Sequence, residues 1–146
     1  MPGLSGNGHT SSDDFDAVIA ADTSRVTSLE NVFKSKSQFN GNLNGWDTSK
    51  VSNMHYNFGY AKAFNGNLND WDTSKVTDMG NNFYYAEKFN SNVAAWDTSS
   101  VTSMNYTFAY GSAFNRNLFV WDINKVSEKY KTFVSVGTGF VEPDKW

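Results

Sequence analysis

Carboxylates recur at a fixed interval along this chain of 146 residues. The column is Asp22, Asp47, Asp72, Asp97 and Asp122, and a basic column follows three residues later at Arg25, Lys50, Lys75 and Lys125. Carboxylates can ligate a cation, but a metal site needs oxygens that converge from several directions, whereas a ladder offers them in a line. The sequence therefore predicts no metal site. It predicts that four of these carboxylates cap helix N-termini, namely Asp47, Asp72, Asp97 and Asp122.

Tyrosine supplies a second set of candidate residues. Tyr60, Tyr85 and Tyr110 are in phase, and Tyr56 and Tyr106 lie four residues before two of them. On a helix that buries positions 51, 54 and 58, positions 56 and 60 point roughly the opposite way. This predicts an outward stripe that binds a partner, with Asn81 between Tyr56 and Tyr106 and with Tyr84 at its edge. The alternative is that the position-60 rings lie back over the core.

The remaining polar residues do not form a catalytic constellation. His9 and His55 are the only histidines, and the chain has no nucleophile elbow, phosphate loop or metal-spaced histidine pair. An enzyme acting on polysaccharide would need clustered carboxylates outside the repeat, but the aspartates mostly follow it. The sequence therefore predicts a non-enzymatic protein without a cofactor. Two asparagine columns predict hydrogen-bonded ladders, with carbohydrate contact as the alternative: Asn40, Asn65, Asn90, Asn115 and Asn42, Asn67, Asn92, Asn117.

The elements that position these residues follow the same period of 25 residues. The chain's five tryptophans are Trp46, Trp71, Trp96, Trp121 and Trp146. Such a period is typical of a solenoid, in which each coil buries its apolar face against its neighbours. Within a coil, residues 65–69 indicate a short strand, and Val76, Met79, Phe83 and Ala86 indicate one face of a helix. We predict an α/β solenoid of about five coils, each with a short parallel strand and a short helix.

Three repeats resemble the BspA-like leucine-rich repeat family, whose units have the form FNxxLxxWDTSxVTxMxxMF. The matching stretches are FNGNLNGWDTSKVSNMHYNF from Phe39, FNGNLNDWDTSKVTDMGNNF from Phe64 and FNSNVAAWDTSSVTSMNYTF from Phe89. This chain has Asn57, Asn82 and Thr107 where the family often has a second methionine. The resemblance implies a curved, right-handed leucine-rich-repeat-like solenoid, displayed outside the cell and used for adhesion or recognition.

The repeat also divides the chain. We expect a disordered Gly/Ser-rich tail at residues 1–12, an N-terminal capping coil at 13–38, tandem repeats at 39–133 and a C-terminal cap at 134–146. A net charge of -3 without a basic face argues against nucleic acid, and the absence of cysteine excludes disulfides. No apolar stretch is long enough to span a membrane, and the start of the chain predicts no signal peptide.

These observations favour a repeat scaffold for protein or glycan recognition, and the resemblance places it at the cell surface. The alternative is a small structural subunit docked in a larger multiprotein assembly, which the missing signal peptide favours, and self-association is also open. Ice or polymer-surface binding is less favoured. The hydroxyl column that suggests it places Thr next to Ser rather than on one strand face: Thr23, Thr48, Thr73 and Thr98.

Overall fold

The computed structural model describes residues 12–146, and side chains from residue 15 onward. One helix, α1 (Ser12–Ile19), begins this part of the chain. The predicted disordered tail lies outside the described residues, apart from its last position. After α1, the described chain consists of turns and irregular segments that recur every 25 residues, joined by isolated bridges. No helix among residues 12–146 is long and apolar enough to cross a membrane.

Consecutive repeats lie side by side in register. Parallel single-residue bridges join equivalent positions along the chain, namely Ser28–Asn53, Asn53–Asp78, Asp78–Ser103 and Ser103–Glu128. A fifth parallel bridge joins Asn117 to Val141 near the C-terminal end. Because four bridges connect residues 25 apart, like residues of successive repeats lie over one another.

Alternate backbone N–H groups of each repeat donate to the next repeat. In the second repeat, the N–H of Met54 donates to the carbonyl of Asp78 at 2.9 Å, and the N–H of Tyr56 donates to the carbonyl of Gly80 at 3.0 Å. Two further donors of this repeat continue the row, and the same four-donor row recurs at residues 29–35, 79–85 and 104–110. Fewer backbone bonds run the opposite way, such as that from Thr77 to Ser52 at 2.9 Å.

The predicted α/β class is wrong, and so is the leucine-rich-repeat-like coil with one strand and one helix. Residues 76–86 form turns instead of a helix because their alternate N–H groups donate to the following repeat rather than to the carbonyl four residues earlier. Two residues in this segment, Asn81 and Tyr85, also have left-handed φ values of 55°, which a right-handed helix cannot include. Residues 65–69 contain no strand.

The aromatic columns form the core between repeats. The indole rings of Trp46 and Trp71 stack with centroids 6.2 Å apart, and Trp96 continues the column at the same distance. Phe58 stacks on Phe83 at 5.4 Å. These five side chains are at most 5% exposed. Each repeat therefore buries its aromatic face against its neighbours rather than around one centre.

The tryptophans also hydrogen-bond across the repeats. The indole N–H of Trp71 donates to the carbonyl of Leu43 at 2.9 Å, and that of Trp96 donates to the carbonyl of Leu68 at 3.0 Å. Both bonds are buried. Since the indole rings of Trp71 and Trp96 are buried, each bond satisfies an N–H group that water cannot reach.

The two ends of the stack depart from the repeat. At the N-terminal end, α1 places Phe15 edge-on against Phe39 at 5.0 Å. At the C-terminal end, Phe140 lies one residue later than the phenylalanine period requires, yet its ring still contacts Phe114 at 5.8 Å. Trp146 is again in phase and packs against Phe133 at 4.8 Å. The final repeat therefore keeps its aromatic contacts despite a shifted loop.

Candidate functional site

All seven tyrosines of the chain belong to one network of ring contacts. We call this surface the tyrosine face: Tyr56, Tyr60, Tyr84, Tyr85, Tyr106, Tyr110 and Tyr130. Six of its members are half-buried, and Tyr130 is 58% exposed. The face spans four successive repeats, because the repeats stack in register.

The backbone beneath the tyrosine face is left-handed. Two positions in each repeat have positive φ, and these hold five tyrosines with φ between 55° and 61°: Tyr56, Tyr60, Tyr85, Tyr106 and Tyr110. The same two positions hold Asn31 and Ser35 in the first repeat, and Lys131 and Ser135 in the last described one. Left-handed backbone lets residues such as 58 point into the core while residues 56 and 60 stay at the surface. It is unfavourable for a bulky side chain.

Three tyrosines stack along the direction of the repeats. The rings of Tyr60 and Tyr85 are 5.3 Å apart and 6° from parallel. Tyr85 and Tyr110 are 4.6 Å apart and 18° from parallel. Both faces of the Tyr85 ring are therefore covered by other rings.

Tyr84 lies at the centre of the face. Its ring makes edge contacts, at angles of 76° to 89°, with five other tyrosines at centroid distances of 4.8 to 6.0 Å: Tyr56, Tyr60, Tyr85, Tyr106 and Tyr110. Edge-to-face pairs contribute about 0.5–1.5 kcal/mol each beyond the area that they bury. The side chains are therefore held in place by one another.

The rim of the face is polar and carries two ammonium groups. The Lys34 Nζ lies 4.1 Å from the centroid of the Tyr56 ring, and the Lys131 Nζ lies 5.2 Å from that of Tyr130. A hydrogen bond with the Tyr130 hydroxyl raises the pKa of Lys131. These ammonium groups contact ring faces, which attract cations through their negative quadrupole.

Burial raises the pKa of two hydroxyls of the tyrosine face. Burial raises the pKa of Tyr56, and burial together with the neighbouring Tyr60 raises the pKa of Tyr84 to about 12. At neutral pH both hydroxyls can therefore donate and accept hydrogen bonds.

The structure brings the five tyrosines selected from sequence together. Sequence reasoning put Tyr84 at the edge of the stripe, but its ring lies at the centre. It missed Tyr130, whose ring lies 5.3 Å from Tyr106 although it is outside the two tyrosine columns. The useful signal for Tyr84 was the adjacent pair Tyr84–Tyr85, because the other repeats have no such pair.

The aspartate column lies in turns. The Asp72 carboxylate accepts hydrogen bonds from the Ser74 N–H at 3.0 Å and from the Ser74 hydroxyl at 2.6 Å. No helix follows, so the expected role at a helix N-terminus is replaced by a cap on a turn. Asp47 and Asp97 make the same two bonds, and Asp122 accepts from the Asn124 N–H at 2.9 Å.

These hydrogen bonds control the acidity of the column. The serine hydroxyl, followed by the serine N–H, lowers the pKa of Asp22, Asp47, Asp72 and Asp97. The basic residues three positions later contribute less to this shift. Among residues 12–146 there is no group of three or more His, Cys, Asp or Glu side chains placed to hold a metal ion.

The first asparagine column hydrogen-bonds between repeats, and the second hydrogen-bonds within each repeat. The Asn40 side-chain carbonyl accepts from the N–H of Asn65 at 2.8 Å, and the Asn65 carbonyl accepts from the N–H of Asn90 at the same distance. In the second column, Asn67 accepts from the N–H of Asn69 two residues on, at 2.9 Å. Both columns therefore satisfy backbone donors of exposed turns.

A second surface feature lies on the last repeats. Phe119 is 54% exposed and Val120 is 74% exposed, at positions where earlier repeats have Asn44 and Gly45. They line an open cavity of about 390 Å³ together with neighbouring residues that include Ile123. This apolar pair interrupts an otherwise polar or small-residue column.

Comparison with known proteins supports a repeat family. The family described as Mycoplasma protein of unknown function, DUF285, matches residues 8–95 and, in a second overlapping match, residues 66–144. No curated protein and no solved structure gives a significant match. The narrower resemblance to BspA-like proteins is not confirmed. Because the two matches together cover most of the chain, this protein belongs to the DUF285 family.

Proposed function

We propose that this chain is a non-enzymatic recognition module that binds a macromolecular partner through the tyrosine face. The observation that carries the proposal is the placement of five tyrosines on left-handed backbone. For a residue other than glycine, left-handed backbone costs of the order of 1–2 kcal/mol, and asparagine and aspartate tolerate it best.

The chain itself supplies the less strained alternatives. Asn31 and Asn81 occupy the column of Tyr56 and Tyr106, and serine occupies the column of Tyr85 in the first repeat. Backbone preference alone therefore favours asparagine over tyrosine at these positions. Partly exposed aromatic residues with a polar rim are typical of protein and carbohydrate binding surfaces, which supports a role for the rings in recognition.

The setting that we propose is the cell surface, where the module would take part in adhesion or recognition. The support is the sequence resemblance to repeat proteins displayed outside the cell. Surface labelling of intact cells of the native organism would test this setting. Labelling only after lysis would contradict it.

A docked subunit of a larger assembly is the second candidate. The exposed pair Phe119 and Val120 supports it, because a contiguous apolar patch is a common feature of protein interfaces. Replacing both residues with the small or polar residues found in earlier repeats, as in Phe119→Asn and Val120→Gly, would abolish such docking and would leave the tyrosine face intact.

The test replaces the face with residues that the same columns already contain. The five-fold variant carries Tyr56→Asn and Tyr106→Asn, and serine in the other column at positions 60, 85 and 110. We expect it to fold, since asparagine and serine already occupy these left-handed columns, and a cooperative thermal transition followed by the fluorescence of the buried tryptophans checks this. In affinity capture from an extract of the native organism, we expect it to lose a partner that the Phe119→Asn/Val120→Gly variant retains.

The opposite binding result for the two variants would favour the docked subunit over the tyrosine face. If the five-fold variant retains the partner and the Phe119→Asn/Val120→Gly variant loses it, the tyrosine face is not the recognition surface. If the five-fold variant unfolds, single Tyr60→Ser and Tyr110→Ser variants report binding separately from folding, because each leaves most of the ring network in place.

A further inference from the structure

In the tyrosine face, the ring faces of Tyr85 and Tyr56 are covered by other groups of the same chain. Tyr85 is stacked on both sides, by Tyr60 and by Tyr110. The Lys34 ammonium lies over the Tyr56 ring, 4.1 Å from its centroid. The aromatic faces in the middle of the site are thus already occupied by other groups of the same chain.

This distinction matters because the two parts of an aromatic ring attract different groups. The face carries negative charge density and packs against C–H groups, such as the flat side of a sugar ring. The edge is positive, and together with a neutral hydroxyl it favours oxygen acceptors such as peptide carbonyls. A surface whose ring faces are covered in this way therefore suits a polypeptide better than a stacked sugar.

The composition and extent of the face point the same way. Tyrosine surrounded by serine and asparagine is the combination used by antibody paratopes, in which rigid rings provide contact area at low entropy cost. The paired left-handed positions carry tyrosine in the second to fourth repeats only, and asparagine, serine or lysine in the first and last. At about 4.8 Å per repeat, the tyrosine-bearing part extends roughly 10–15 Å, which suits a discrete contact better than a polymer lying along the whole stack.

We infer that the partner of the tyrosine face is a protein, contacted through its backbone carbonyls and polar side chains, and that Tyr84 is the centre of the contact. The inference rests on the proposed recognition function. Tyr84 is the natural centre because five other rings surround it, and binding energy concentrates in central, well-supported aromatic residues.

The experiment presents the full chain with two kinds of probe. One is a displayed library of random peptides, and the other is an array of immobilised oligosaccharides. We expect the library to yield peptides that bind the original chain. These peptides should bind the Tyr84→Ser variant at least about 10-fold more weakly, and their loss of affinity for the Tyr84→Phe variant should be smaller. We expect no oligosaccharide to bind in a manner that depends on Tyr84.

Three outcomes separate the claims. Oligosaccharide binding that Tyr84→Ser abolishes would overturn the protein inference and leave the recognition function standing. Selected peptides that bind the five-fold tyrosine variant as well as the original chain would overturn both the inference and the proposed face. Peptide binding lost in Tyr84→Ser but unchanged in Phe119→Asn/Val120→Gly supports both.

Stability is measured alongside binding, so that unfolding is not mistaken for loss of contact. Tyr84→Phe retains the ring and its edge contacts, and it tests the hydroxyl alone. If the Tyr84→Phe variant folds normally and binds every selected peptide with unchanged affinity, the Tyr84 hydroxyl does not contribute to recognition.

Discussion

At the scale of single residues, two buried asparagines conflict with the apolar interior. Asn57 and Asn82 are fully buried, and both the amide nitrogen and the oxygen of Asn57 lack a hydrogen-bond partner among the described residues. Asn82 places its amide only 3.9 Å from the Met54 sulfur, and its oxygen has no such partner. Leaving a buried polar group unsatisfied costs about 1–3 kcal/mol.

The chain contains its own remedy for this conflict. Thr107 occupies the same column, and its hydroxyl donates to the carbonyl of Met79, 28 residues earlier, at 2.9 Å. We expect Asn82→Thr to raise the free energy of unfolding by about 1–2 kcal/mol, since the hydroxyl can donate to the Met54 carbonyl. Urea denaturation measures the change. The reverse substitution, Thr107→Asn, is the control and should destabilise; a loss of stability in Asn82→Thr would contradict the explanation.

Tyr84 makes stability depend on alkaline pH. Its pKa is raised to about 12 in the folded protein, against 10.0 ordinarily, so the unfolded chain loses this proton first as pH rises. The stabilisation is complete below pH 10 and is lost progressively towards pH 12. We expect Tyr84→Phe to lose less thermal stability than the original chain between pH 9 and pH 11.5. Equal losses in the two proteins would show that Tyr84 is not the responsible group.

At the scale of local elements, the repeated unit is a set of capped turns. Asn67 accepts a hydrogen bond from the N–H two residues later, as Asp72 does, so each repeat contains a neutral and a charged version of one turn. The neutral version has no titrating group. Replacing the aspartate of a charged turn with asparagine therefore measures the contribution of the charge to stability while the turn geometry stays the same.

The charged turns predict a loss of stability in acid. Their folded pKa values lie below the usual 3.8, so their stabilisation is present above that pH and is lost as pH falls through the folded values. Between pH 5 and pH 2.5, we expect the melting temperature of a variant with asparagine at positions 47, 72 and 97 to fall less than that of the original chain. Melting curves at matched salt measure this, and identical acid profiles would contradict it.

The elements were only partly predictable from sequence. The 25-residue period located the aromatic columns because burial depends on side-chain type, and Trp71 and Phe83 lie where it places them. The spacing of Val76, Met79 and Phe83 suggested a helix, because apolar residues three and four apart are compatible with one. The left-handed backbone at Asn81 and Tyr85 excludes that helix, and no rule based on residue type assigns tyrosine to this conformation.

The candidate site was likewise only partly predictable from sequence. The phase of Tyr60, Tyr85 and Tyr110 predicted that they share one surface, because in-register repeats bring equivalent positions together. The stacking of their rings and the central position of Tyr84 depend on side-chain directions set by the left-handed backbone. Once the helix was assumed, those directions could not be derived.

At the scale of the whole molecule, stability depends on contacts between neighbouring repeats. Phe83 is 1% exposed and contacts both Phe58 and Phe108 at 5.4 Å, whereas Phe133 near the end of the stack is half-buried. We expect Phe83→Ala to cost about 3–5 kcal/mol and Phe133→Ala to cost less. Urea denaturation of the two variants tests this order. Equal costs would contradict the expectation that a fully buried ring between two repeats contributes more than a half-buried ring near the end of the stack.

The row of four N–H donors in each repeat aligns peptide dipoles along one side of the stack. In the second repeat all four donors of this row point towards the third repeat, and the N–H groups that point back, those of Asn65, Asp70, Thr77 and Lys88, lie outside the row. Each peptide unit carries a dipole of about 3.5 D, so the aligned units of successive repeats add along this side. The positive end of the row faces the last repeat.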